Sequence, residues 1–165
     1  MSHELTLRRA LADDLGAIMA IERMPGFERW VGRSSESEHR EMMAGASYAY
    51  LVAESSGAIV AFAILRDLHD PHGNLYLKRI AVAQTDAGLG SAFLALIAAW
   101  AFGHERVHRF WLDCFAHNLR AQRVYEKLGF AREGLLREAF LGADGVRRDL
   151  TLMSLTRPRW AVRSG

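Results

Sequence analysis

The segment Asn118 to Phe130 reads Asn-Leu-Arg-Ala-Gln-Arg-Val-Tyr-Glu-Lys-Leu-Gly-Phe. It predicts one helix, ended by Gly129, with a strand starting at Phe130. Asn118 and Tyr125 stand seven residues apart, two helical turns, so both polar groups are expected on one face. Upstream, Leu75 to Val82 reads as a strand. Gly88-Leu89-Gly90-Ser91 then opens an apolar helix with Phe93, Leu96, Ile97 and Trp100 at helical spacing. A glycine-rich turn at a helix start offers free amides and the positive end of the helix dipole to an anion such as phosphate. Phe110 to Phe115 is nearly all apolar except Asp113, as expected of a strand covered on both faces.

Working outward, Leu5 to Arg8 alternates as a half-buried strand does. Asp13 or Asp14 can cap a helix to about Arg23, stopped by Pro25-Gly26, and Ser35 or Ser37 can cap a second to about Ala44. Tyr48 to Ala53 and Ile59 to Leu65 read as strands around a turn at Glu54 to Gly57. Phe130 to Phe140 and Val146 to Leu155 read as a last hairpin, with Asp144-Gly145 as its turn signal. No repeat, low-complexity tract or linker divides the chain.

The 165 residues suit one domain. A net charge of +2 and the absence of a basic run argue neither for nucleic acid nor for a membrane surface. The apolar window Leu89 to Phe102 falls short of the roughly 20 residues that span a bilayer. Cys114 is the single cysteine, which excludes an internal disulfide and suits a reducing cytoplasm. No signal-peptide hydrophobic region opens the chain. Cys114 lacks a local His–Asp framework and reads as a small buried residue. His104 and His108 lack an acidic third ligand, so no metal site is expected. His69 and His72 read as solvated loop residues.

The Asn118–Phe130 segment, preceded by Leu75–Val82 and the Gly88 turn, resembles the GNAT family of N-acetyltransferases over nearly the whole chain. Glu133-Gly134-Leu135-Leu136-Arg137, Asp144-Gly145 and Asp149 to Ser154 look like its ribosomal-protein alanine acetyltransferase branch. The resemblance implies an α/β fold in one domain, residues 1–157, with a short tail, 158–165, expected to fray. It implies a mixed, mostly antiparallel sheet of about seven strands flanked by about four helices, splayed between the fourth and fifth strands. It also implies acetyl-CoA as donor, no metal, and direct transfer to a primary amine, either a protein N-terminus or a small molecule. A homodimer is compatible with it.

By the same resemblance, Gly88, Leu89, Gly90 and Ser91 hold the pyrophosphate, and Ile80, Ala81 and Val82 line the pantetheine arm. Asn118 lies near that arm and Ala121 packs on the cofactor. Tyr125 is the general acid for the departing thiolate. The base stays open between Asp113, His117 and water, because the Leu75–Val82 strand carries Lys78 and Arg79 where many relatives carry Glu. Thr85-Asp86-Ala87 departs from the family's usual loop and favours cofactor binding less. Phe27 and Trp30, aromatics in a loop, would wall the acceptor groove. The rival reading is a non-catalytic coenzyme A or acyl-CoA sensor module.

Overall fold

The computed structural model describes residues 4–27, 31–85 and 88–164. Seven strands form one sheet in the order β1-β2-β3-β4-β5-β7-β6. They are β1 (Thr6–Arg9), β2 (Tyr48–Ser55), β3 (Ala58–Arg66), β4 (Asn74–Val82), β5 (Arg109–Phe115), β6 (Ala131–Leu141) and β7 (Arg147–Thr156). All neighbours are antiparallel except β4 and β5. The helices are α1 (Leu15–Glu22), α2 (Glu36–Ala44), α3 (Leu89–Phe102), α4 (Leu119–Leu128) and α5 (Arg157–Ser164).

The sheet divides the core in two. On one face Phe93, Ile97, Ala101 and Phe102 of α3 pack on Leu51, Leu65, Leu75, Leu77, Phe110 and Leu112, with Val124, Tyr125 and Leu128 of α4 beside them. On the other face Ile18 and Ile21 of α1 pack on Val52, Phe62, Ile64 and Ala81. Strand alternation explains the division: Leu51 and Ala53 of β2 face α3, and Tyr50 and Val52 face α1.

Several boundaries follow local chemistry. The Ser35 hydroxyl accepts from the Glu38 amide at 3.2 Å, and the Glu38 carboxylate accepts from the Ser35 amide at 2.6 Å, a capping box that starts α2. The expected cap of α1 is different. Asp14 accepts from the Leu11 amide at 2.6 Å and pairs with Arg8, because a 3-10 turn at Ala12–Asp14 precedes the helix. The β2–β3 turn shrinks to Ser56-Gly57, both with positive φ, because Glu54 and Ser55 remain paired with Ile59 and Ala58.

The tail does not fray. It forms α5, where Trp160 stacks on Phe102 at 5.6 Å and Arg157 donates to the Val107 and His104 carbonyls at 2.9 and 2.8 Å. Among the described residues five α-helices therefore stand where about four were expected. A short basic stretch looks mobile in sequence, but one aromatic against the core is enough to order it.

Candidate active site

The sheet opens at its one parallel junction. β4 and β5 pair only from Asn74–Tyr76 to Arg109–Trp111, then separate. Each stays with its other neighbour: β5 pairs with β7 as far as Phe115, and β4 with β3 as far as Val82. A β-bulge assists the separation, since Ile64 faces Arg79 but Leu65 faces Leu77, leaving Lys78 as the extra residue. Bulges bend a strand and increase its twist. Ile80, Ala81 and Val82 pair with Ala63, Phe62 and Ala61 on one side, and their strand's other edge borders the opening.

Two of the sequence candidates lie on opposite faces of the sheet beside β5, near enough for the Asp113 charge to act on Tyr125. Tyr125 arrives from α4 and packs in the α3-side core. Burial raises its phenol's pKa well above the ordinary range, and Cys114 and Asp113 raise it further. The proton therefore stays on the oxygen at neutral pH. Asp113 arrives from β5, on the same face as Trp111 and Tyr76. Burial raises its carboxyl above the ordinary range, opposed by a hydrogen bond from Tyr76 and by the charges of Lys78 and Arg66. The Tyr76 hydroxyl donates to the two Asp113 oxygens at 3.2 and 3.3 Å, and its ring stacks on Trp111 at 4.2 Å. Tyr76 is absent from the sequence candidates. Its place between two core leucines, Leu75 and Leu77, two before the bulge, was the available signal.

Cys114 is half-buried, and burial and Asp113 push its thiol up to about 11, which disarms it as a nucleophile. His117 is exposed and stacks on Phe115. Among the described residues no three His, Cys, Asp or Glu side chains gather into a metal-sized group.

The Gly88 turn is built for close approach. Gly88 caps α3 with φ 72°, a left-handed conformation that costs glycine little. A Cβ at Gly88 or Gly90 would meet nothing within 4 Å. The first amide to donate within the helix is that of Ala92, to the Gly88 carbonyl at 3.2 Å, so the amides of Leu89, Gly90 and Ser91 precede the helix ladder. Leu89 offers only that amide, since its side chain is in the core. Ser91 is exposed. Asp86 and Ala87 lie outside the described residues. The Arg120 guanidinium of α4 donates to the Thr85 carbonyl at the edge of this loop.

Asn118 departs from the expectation of a shared face with Tyr125. It precedes α4 with φ −83° and ψ 72°, and its carboxamide oxygen accepts from the Ala121 amide at 3.2 Å. It is the helix cap, so its side chain turns back over the first turn. At the other end Gly129, with φ 117°, closes α4, and the Phe130 amide bonds the Tyr125 carbonyl at 3.1 Å.

The 31–35 loop rests on a buried polar cluster that sequence reading missed. Glu22 is fully buried and serves Arg79 at 2.6 Å, His39 at 3.0 Å, Arg23, and the Ser34 amide at 3.2 Å. His39 passes its other ring nitrogen to the Tyr50 hydroxyl at 2.7 Å. Arg79 also donates to the Ser34 hydroxyl at 3.2 Å, and Gly32 sits directly over its guanidinium. The cluster thus ties α1, α2, β2, β4 and the 31–35 loop together. Phe27 packs partly buried against the α1-side core. Trp30 lies outside the described residues.

The family model described as the acetyltransferase (GNAT) family matches residues 16–130. The [ribosomal protein uS5]-alanine N-acetyltransferase of Escherichia coli (strain K12) is 35% identical over 81 residues, 48% of this chain. The matched stretch spans 41% of that relative's length, and the Shigella flexneri enzyme of the same name matches equally. Among solved structures, the ribosomal-protein-S18-alanine N-acetyltransferase of Escherichia coli superposes with TM-score 0.75 at 28% identity, over 93% of this chain and 94% of that one. A spermidine N-acetyltransferase from Vibrio cholerae, in complex with CoA and spermine, superposes with TM-score 0.82 over 95% and 98%. At 20% identity it speaks for the fold alone.

Proposed function

The chain belongs to the acetyltransferase (GNAT) family, and from that membership and the β4–β5 opening we propose that it moves an acetyl group from acetyl-CoA directly to a primary amine. The reading is supported by the β4–β5 separation flanked by a protonated phenol, Tyr125, on one face of the sheet and a partly desolvated carboxyl, Asp113, on the other. The acceptor is a protein N-terminus or a small-molecule amine. A cytoplasmic place of action suits the free thiol, and no described helix is long and apolar enough to cross a membrane.

In this reading the amides of Leu89, Gly90 and Ser91 receive the pyrophosphate at the positive end of α3. The unpaired edge of β4 at Ile80 to Val82 hydrogen-bonds the pantetheine amides as a strand would. The acetyl group then lies in the gap, with the acceptor entering from the α1–α2 face. Asp113 takes a proton from the incoming ammonium. The freed nitrogen forms the new C–N bond, the C–S bond breaks, and Tyr125 hands its proton to the departing sulfur. Tyr125 is reprotonated at the expense of the second amine proton, so one proton reaches solvent per turnover.

The test is release of free thiol from acetyl-CoA by the purified protein with a panel of peptides, amino acids and polyamines, with product mass as confirmation. Coenzyme A binding with no acetylated product from any amine would return the sensor reading.

Two further outcomes are expected. Gly88→Asp should weaken coenzyme A binding about ten- to a thousandfold more than Gly88→Asn does, by calorimetry. Both variants bear the same left-handed backbone, and only one brings a carboxylate to the phosphates. Equal affinities would place the phosphates elsewhere. Asp113 acts as a base only when ionised, so kcat should rise with pH through a midpoint above the ordinary carboxylate value. Asp113→Asn should remove that limb and leave coenzyme A binding intact. A limb that persists at the same midpoint would assign the proton to water or His117.

A further inference from the structure

On the acceptor side of the β4–β5 opening Arg66 and Arg79 are ion-paired, while the Lys78 ammonium has no hydrogen-bond or ion-pair partner among the described residues. Tyr76 and Trp111 are the last register partners at its closed end, and Lys78 and Asp113, each two residues on, lie where the strands part, near enough for each charge to act on the other. The bulge keeps Lys78 on the α1–α2 face beside Arg79, where regular alternation would have turned one of them away. Arg66 of β3 reaches the same place, its guanidinium 4.8 Å from the centroid of the Tyr76 ring.

The nearby carboxylates are occupied. Glu22 is taken up by Arg79, Arg23, His39 and Ser34. Glu38 caps α2 through the Ser35 amide. Asp67 pairs with Arg66 at 3.4 Å. Asp113 is thus the described carboxylate facing the opening from β5, and it already accepts from Tyr76. Lys78 is half-buried, and its ammonium is drawn below the ordinary range by that burial and by Arg79 and Arg66, with Asp113 and Glu38 pulling the other way. A cation short of water and crowded by guanidiniums gains most from a new anion. An acceptor with additional ammonium groups would bring them against Lys78 and Arg66.

We propose that the acceptor carries a carboxylate close to its reacting amine, and that Lys78, on the β4 bulge, receives it. The free α-carboxylate of an amino acid and an Asp or Glu side chain near a peptide N-terminus share this chemistry. The proposal rests on the acetyl-transfer reading for its chemistry, and on the Lys78 site for its selectivity.

The experiment measures both turnover and binding. Thiol release is followed with L-glutamate, with the peptides Ala-Asp-Ala-Ala and Ala-Lys-Ala-Ala blocked at the C-terminus, and with spermidine. Binding of the same four to the coenzyme A complex is followed by calorimetry. Expected is at least a tenfold preference in kcat/KM or Kd for L-glutamate or the Asp peptide over the Lys peptide and spermidine. The two carboxylate-bearing probes separate an amino acid from a protein N-terminus. Lys78→Met should remove the preference, chiefly through KM, by about ten- to a hundredfold. Lys78→Arg should restore it, which a merely structural role would not require. Spermidine or the Lys peptide preferred by the wild type, or a preference unchanged in Lys78→Met, would overturn the proposal. Lys78-dependent binding of a carboxylate-bearing probe without thiol release would uphold the subsite while sinking the transferase reading.

Discussion

Tyr125→Phe is expected to lower kcat by about 10²–10⁴-fold, the range for losing a positioned proton donor. Affinity for acetyl-CoA and melting temperature should stay near those of the wild type. The ring keeps its place in either residue, tilted against Phe130 at 5.8 Å within the α3-side core. Only the hydroxyl is lost. Burial and the neighbouring Cys114 and Asp113 hold that hydroxyl protonated, so it is in the donor form throughout the neutral range. Steady-state thiol release gives the rate, and calorimetry with coenzyme A gives the affinity. Turnover within about threefold of wild type would leave Tyr125 a packing residue and require another acid.

Glu22→Ala is expected to cost about 3–5 kcal/mol, because it leaves the mostly buried Arg79 and the buried His39 without their anion. For a chain of this length that is a fall in Tm on the order of 10 °C. The exposed Arg40–Glu36 pair on α2 supplies the contrast: Glu36→Ala should cost under about 1 kcal/mol. Denaturant melts of the two variants decide it. A loss below about 1 kcal/mol for Glu22→Ala would mean that the cluster neither holds the 31–35 loop nor stabilises the fold.

The difference between these two sites is a difference in legibility. Tyr125 was marked by its place in Asn118–Phe130, a segment whose cap, periodicity and terminal glycine are all local. Glu22 sits in the last turn of α1 with no local motif to mark it. Its partners, His39 and Arg79, are distant in sequence and on separate elements. A buried Glu at a core-facing helical position and an Arg in an apolar strand were each odd, but nothing short-range joined them. Asn118 erred in the opposite direction. Seven-residue spacing put it on the face of Tyr125, yet a residue one place before the helix has different backbone angles and caps the helix.

Local chemistry in the sequence was therefore enough for the order of the elements as far as β7, a serine cap at Ser35 or Ser37, the Gly88 turn, the closing of α4 at Gly129 and the family resemblance. Each depends on residues within a few positions of one another. The tertiary structure decided the rest. It placed Tyr76 on Asp113, Lys78 on the outer face of the β4 bulge, Arg120 on the loop before α3, and Trp160 against Phe102. Those pairings depend on strand register and on which faces the helices cover. A single extra residue in β4 changes them without leaving a signal in the sequence around it.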